Sequence, residues 1–304
     1  MRKHEMTQSA AQCLRLRWMP RLSVIGLLLF TVLSAQAQEP RERPLSRTVP
    51  GRETVPSQRE RGTTPARPSS STNESRPAEH PLKPAIRLAE ACLETLEDIE
   101  DYTALLSTRE YVNGTIVVHT MAMKFREEPF SVYFKFGGEH AGREVLYVEG
   151  QNQNMLLAHE GSGLKSLVGT VSLSPESPEI LKENRHTITD AGLRNMVNHM
   201  ITRWEEESRY GECEVKYYPK AKLNDSECLV IECRHPTPRR QFKFHISRLF
   251  IDRETNLPMR VENYAFPRQG GKPMLVEEYT YSEIKTNVGL TDADFDRKNP
   301  RYAF

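Results

Sequence analysis

The stretch MAMKFREEPFSVYFKF, residues 121–136, decides the fold. In its second half Phe130, Val132, Phe134 and Phe136 alternate with Ser131, Tyr133 and Lys135, the period of two that a strand requires. Pro129 parts this run from residues 121–126, so two segments meet at an edge, a bulge or a tight link. Phe and Met dominate the apolar side, and Met makes surfaces that re-pack around a variable guest. The stretch therefore predicts a sheet with one face too apolar for water.

Working outward, the N-terminus gives the compartment. Arg15, Arg17 and Arg21 precede an apolar run, residues 22–33, that is short for a bilayer span. Ala35-Gln36-Ala37 then supplies a small-x-small cleavage pattern, so residues 1–37 read as a signal peptide and the mature chain as periplasmic or otherwise exported. The long basic stretch ahead of the run leaves an uncleaved anchor open. Gln38, not Cys, follows the cleavage site, which argues against bacterial lipidation. Residues 38–84 hold nine prolines among Arg, Glu, Ser and Thr and hardly any large apolar side chain. Such a segment cannot offset its ordering entropy, and a solvated linker is expected.

About 220 residues from Ala85 onward suit one globular domain, 85–304. It carries 28 Lys and Arg against 34 Asp and Glu, a net charge of −6 that argues against nucleic acid as a partner. Leu88, Ala89, Cys92, Leu93, Leu96, Ile99 and Leu106 predict a first helix over residues 85–106. Strands are expected over 110–118, 120–126, 130–136, 143–149 and 154–159, linked by Gly- and Asn-rich turns. Leu193, Met196, Val197, Met200, Ile201 and Trp204 stripe a second helix from about Thr189 to Gly211, readable as plain core or as a lid over a groove. Further strands follow over 212–218, 227–234, 241–252, 257–266 and 274–284, and Thr291–Asp294 has the form of a capping box. Helix, strands, helix, strands is not the alternation of a doubly wound sheet. The fold class that follows is α+β: a strongly curved antiparallel sheet, an incomplete barrel, covered by helices.

Catalytic patterns are missing. Gly161-Ser162-Gly163 lacks the spacing of a nucleophile elbow. His119, His140, His159, His186, His199, His235 and His245 are scattered without a His-x-His or His-Glu-x-x-His pair. Glu127 and Glu128 are adjacent in a strand context and point to opposite faces, a poor acid/base dyad. The chain is expected not to be an enzyme and to need no cofactor or metal.

From about Ala85 to Phe295 the order of elements resembles the LolA/LolB-type lipoprotein carriers, and more narrowly an uncharacterised exported bacterial family of that fold. The residues behind the resemblance are Asp101-Tyr102, the strand Met123-Lys124-Phe125-Arg126, the 130–136 strand, the 147–152 turn, the 251–261 hairpin and the closing 290–295 segment. The resemblance implies an acyl-binding cavity lined by Met121, Met123, Phe125, Phe130, Val132, Phe134, Phe136 and Met155. Alternation alone leaves open which parity faces inward. It also implies Leu193, Met196 and Met200 on the lid and a gating or headgroup role for Arg126. The implied occupant is an acyl lipid or lipoprotein held by a monomer. A sensor or structural envelope module with a protein partner stands as the alternative. The Pro-rich arm and the Cys-containing domain depart from the carriers.

Once Cys13 leaves with the signal peptide, Cys92, Cys213, Cys228 and Cys233 remain in an oxidising compartment. If Tyr218 faces Cys228 across the polar turn, partner numbers sum to 446 and Cys213 sits opposite Cys233. Directly opposed residues lie ~4.5–5.5 Å apart at Cβ, within reach of a disulfide. Cys92 and Cys228 are expected to be free thiols, and the loose spacing of all four argues for structural roles over a metal site.

Overall fold

Asn113 and Gly114 reverse the chain with positive φ at both positions, 49° and 89°, as a two-residue hairpin loop demands. That turn divides the segment expected as one strand over 110–118. In the computed structural model, which describes residues 79–304 apart from Gln269, its flanks are the long strands β1 (Asp101–Val112) and β2 (Thr115–Arg126). The signal sequence and nearly all of the Pro-rich segment lie outside the described residues.

Helix α1 (Leu82–Glu97) buries Leu82, Ala85, Ile86, Ala89, Cys92 and Leu96, the expected stripe moved one turn forward. It stops well short of Leu106. Leu106 shares the helical spacing by coincidence: residues 101–112 alternate in burial and pair as a strand on both sides. Arg194 caps the helix end by donating to the Leu96 carbonyl (2.6 Å), and one turn back Asn256 donates to the Ala91 carbonyl (3.0 Å).

The strands continue as β3 (Ser131–Phe136), β4 (Glu144–Val148), β5 (Leu156–His159) and β6 (Val171–Leu173). After a crossing segment with α2 (Pro178–Leu181) and α3 (Leu193–Glu207) come β7 (Glu214–Leu223), β8 (Ser226–Arg234), β9 (Ile246–Asp252), β10 (Pro258–Ala265) and β11 (Met274–Thr286). Ten strands were expected; the additional one is β6, three residues long. Helix α3 starts four residues later than expected, because Thr187 and Asp190 close a capping box on a separate single turn first. The stretch 241–245 stays outside β9 as a loop that buries Phe242 and Phe244.

Two meanders join at the long-range pair β1–β11, giving the order β6-β5-β4-β3-β2-β1-β11-β10-β9-β8-β7, antiparallel throughout. The end strands β6 and β7 do not pair with each other, so the curved sheet remains open. Pro219 lies where the β7–β8 register shifts, on an edge strand that tolerates its missing N–H. Both long helices pack on the inner face, where Trp204, Tyr102, Phe125 and Met200 are almost fully enclosed. Each such side chain contributes ~1.5–3 kcal/mol by burial. The outer face carries a smaller cluster in which Tyr133, Leu146, Val148 and Leu157 are covered by Phe295, Tyr302 and Phe304. The Thr291–Asp294 capping box forms as expected. Among the described residues no helix is long and apolar enough to cross a membrane.

Candidate functional site

The inner face is filled at one end and hollow at the other. Across the filled end run Tyr102, Phe125, Val132 and Tyr147, each opposite the next. Tyr102 and Phe125 stack at 4.8 Å, and Phe130 meets Phe125 edge-on at 5.3 Å. The start of α3 sits on this end: the Tyr102 hydroxyl accepts from Leu193 N–H (3.0 Å) and that of Tyr281 from Gly192 N–H (3.2 Å). Four residues further along each strand, two inward-facing positions on, Leu106, Met121 and Phe136 lie opposite one another, and there a cavity of about 170 Å³ opens between sheet and helix. An enclosed apolar hollow of ~150 Å³ is enough to bind benzene. Phe134, Val145 and Leu156 widen the apolar floor, and Ile188, Met196 and Met200 form the roof.

The other end of the cavity is charged. Register places Glu110 of β1 opposite Glu277 of β11, and Glu277 opposite Asn263 of β10. Two buried carboxylates face to face repel each other, and their surroundings split them. Burial alone would raise Glu277, but His186 and Arg185 hold it down to about 2, with Arg185 Nε at 2.8 Å and His186 Nε2 at 3.3 Å. Asn263 Nδ2 donates to its second oxygen at 2.8 Å. Burial pushes Glu110 up, opposed by hydrogen bonds from the Tyr279 hydroxyl and the Arg185 N–H. His186 is raised to about 9 by Asp190 and then by Glu277. Burial lowers His199, which faces Asp190 from α3, and burial also lowers Arg203. The polar end thus pairs carboxylates with histidines and arginines, and the apolar end offers only Phe, Met, Leu, Ile and Val. This is an amphiphile-shaped hollow.

The expected residues divide accordingly. Met121, Phe134, Phe136, Met196 and Met200 line the cavity. Met123, Phe125, Phe130, Val132 and Leu193 belong to the packed core beside it rather than to its walls. Met155 lies elsewhere: it precedes Leu156, which points inward, so Met155 turns to a hollow on the outer face beside Leu146 and Phe295. Arg126 also departs from expectation. Its parity is opposite to that of Phe125, and its guanidinium lies over the Phe295 ring (4.9 Å) and pairs with Asp292 (2.8 Å), away from the cavity. The polar end was missed altogether. Glu110, Glu277, His186, Asp190, His199 and Arg203 are dispersed in sequence, and only the β1–β11 register brings them together. Inward parity of Glu277 with Tyr279 and Tyr281 along β11 is the one trace the sequence carries.

The cysteine register also differs from expectation. Tyr218 pairs with Val230 and Val215 with Cys233, which carries Cys213 past Cys233 to the level of His235. The register slides by two residues from the one assumed, with Leu223 opposite Ser226 across a two-residue turn and a bulge absorbing Pro219 and Lys220. Among the described residues Cys92, Cys213, Cys228 and Cys233 are unbridged, and the Cys213 and Cys233 thiols nevertheless stand side by side.

The model of the family described as "Protein of unknown function (DUF1571)" matches residues 99–304. The chain belongs to this family. No curated protein sequence matches it. This DUF1571 chain is similar to a solved DUF1329 family protein from Desulfovibrio piger, at 12% identity over 71% of this chain and 98% of that one, TM-score 0.33. It is similar to an outer membrane lipoprotein-sorting protein domain from Vibrio parahaemolyticus (13% identity, 69% and 95% coverage, TM-score 0.32). Lipoprotein LppX of Mycobacterium tuberculosis is a third such structure, with 11% identity, 70% and 100% coverage and TM-score 0.37.

Proposed function

We propose that this DUF1571 chain is a non-catalytic, exported binding protein that holds an acyl chain of a lipid or lipoprotein between its sheet and α3. The observation that carries the reading is the cavity: an apolar floor and a Met-bearing roof that close on a charged end. Each CH₂ buried contributes ~0.8 kcal/mol, so a chain of ordinary length is held firmly and still released. Met121, Met196 and Met200 are unbranched and can re-pack as the guest lengthens. The charged end takes the polar headgroup, where Glu277, His186 and Arg203 offer both signs of charge. Catalysis is disfavoured because the histidines there are engaged by carboxylates of the fold itself.

Fluorescent fatty acids of graded chain length, titrated into the full mature chain, test the proposal. Phe134 lies on the cavity floor, so Phe134→Glu should abolish uptake while Lys135→Gln, on the opposite face, should leave it intact. A folded wild-type protein that takes up no acyl probe of any length sinks the carrier reading.

A further inference from the structure

A second cluster of ligand-type side chains lies away from the cavity walls. Glu207 is the last residue of α3, Cys233 lies in β8, His235 follows β8 directly, and Cys213 precedes β7. Glu207, Cys233 and His235 are at most 3% exposed, and their donor atoms all fall within 4.8 Å of one another. His235 Nε2 is 3.0 Å from Glu207 Oε2 and 3.8 Å from Cys233 Sγ. Its other nitrogen, Nδ1, is 2.9 Å from the Glu212 carbonyl, a bond that puts the proton there and leaves the Nε2 lone pair facing thiol and carboxylate. Phe242 stacks on the imidazole at 3.7 Å and fixes the ring plane. Glu207 Oε2 is fully enclosed, and its one close polar partner is His235 Nε2, at 3.0 Å and out of line for a hydrogen bond. A buried carboxylate left this way is costly unless a cation meets it.

The Cys213 thiol adjoins that of Cys233, on the side where His80 Nε2 approaches it at 3.9 Å. One sulfur, one imidazole nitrogen and one carboxylate oxygen, from Cys233, His235 and Glu207, lie within 4.8 Å of one another, and the Cys213 sulfur beside Cys233 is the fourth donor within reach. We propose that Glu207, Cys233, His235 and Cys213 bind one zinc-type dication. Donors of a tetrahedral zinc site stand roughly 3.3–3.8 Å apart, given bonds of ~2.0–2.3 Å. The separations at His235, 3.0 and 3.8 Å, need adjustments of only a few tenths of an ångström. On binding, each thiol releases its proton to solvent as its sulfur takes the metal. Half-buried Cys213 is the side of entry. The site ties the end of α3, the helix that roofs the cavity, to β8.

The full chain, isolated without reductant and assayed for free thiols, is titrated with Zn²⁺ and with Co²⁺. The expected result is one equivalent bound, a sulfur-to-cobalt charge-transfer band, and a melting temperature raised by Zn²⁺ and lowered again by chelator. Cys233→Ser and His235→Gln should lose binding, and Cys213→Ser should weaken it by at least about tenfold, a loss that even outer-shell changes reach. Should Cys233→Ser not fold, the cobalt band of the wild type and the His235→Gln titration decide. A Cys213–Cys233 disulfide in the isolated chain, no cobalt–thiolate band, or binding unchanged in His235→Gln overturns the proposal.

Discussion

Gly192 offers a severe test of how α3 is seated. It sits immediately before the helix with φ 111° and ψ 154°, a backbone region that only glycine occupies at ease. A Cβ built there would lie 2.7 Å from Phe125 Cζ and 2.8 Å from Cε2, in a ring that is 1% exposed and stacked on Tyr102. Backbone strain of this type costs ~1–3 kcal/mol. Forcing one carbon into packed core costs ~1–3 kcal/mol more. Gly192→Ala should therefore destabilise by about 4 kcal/mol, or roughly 8–16 °C in melting temperature for a domain of this size. Gly150→Ala is the matched control: φ there is also positive, 77°, but nothing lies within 4 Å of the added carbon. It should lose only ~1–2 kcal/mol. Adding Phe125→Leu to Gly192→Ala should recover part of the packing loss and none of the backbone strain, which a double-mutant cycle resolves. Calorimetry reads the wild type, Gly150→Ala, Gly192→Ala, Phe125→Leu and the double variant. If Gly192→Ala melts no lower than Gly150→Ala, the close seating of α3 against Phe125 is refuted.

His186 and Glu277 make stability depend on pH from both sides. His186 is raised to about 9, so its contribution is complete below its ordinary ~6.5 and fades as pH rises through 9. Glu277 is held near 2, so its contribution is present above its ordinary ~4.5 and fades as pH falls towards 2. The two shifts share the His186–Glu277 pair, to which Asp190 adds on the His186 side and Arg185 on the Glu277 side, so they are not summed, and each is worth at most ~3 kcal/mol. The stability of the wild type to urea should fall between pH 6.5 and 9, and His186→Gln should flatten that limb; parallel curves would reject the pairing. Asp101 accepts from the N–H groups of Val288 (2.7 Å), Gly289 (3.2 Å) and Leu290 (2.9 Å), which fastens the segment after β11. Asp101→Ala should cost ~3 kcal/mol and expose the C-terminal segment to protease, whereas an unchanged melt would show that Phe295 and Tyr302 anchor it alone.

The fold was legible where a short-range pattern is enforced by one buried face. Residues 130–136 alternate because Val132 and Phe134 enter the inner core while Tyr133 enters the outer cluster, and that demand is local. Helix α3 was legible for the same reason, through Met196, Met200 and Trp204. The first helix was overextended because apolar spacing at Ile99 and Leu106 imitates a helical stripe. What ends the helix is the pairing of residues 101–112 with β2 and with β11, and the latter lies some 170 residues away. Strand β6 has three residues and a half-exposed pattern, too little signal to find.

The same distinction separates the two ends of the cavity. Its apolar floor is built largely from β2 and β3, neighbours in sequence, so alternation set Phe134 and Phe136 on one face, and the resemblance named that face, with Met121, as the lining. The charged end is built from β1, β10, β11, the 185–190 loop and α3, and it exists only through the join of the two meanders. Glu110 and Glu277 gain their meaning as a pair: either carboxylate alone is an ordinary strand residue, but face to face and buried they force the fold to supply Arg185, His186 and Asn263. Arg126 shows the converse. A resemblance placed it by its position after an apolar strand, yet parity, a purely local rule, assigns it to the outer face, where Asp292 and Phe295 receive it. Parity outranks motif position in a sheet, because shifting one residue by one place moves its side chain to the other side of the protein. The acyl-binding reading therefore rests on the residues whose parity and burial agree, Met121, Phe134 and Phe136 on the floor with Met196 and Met200 of α3 above them.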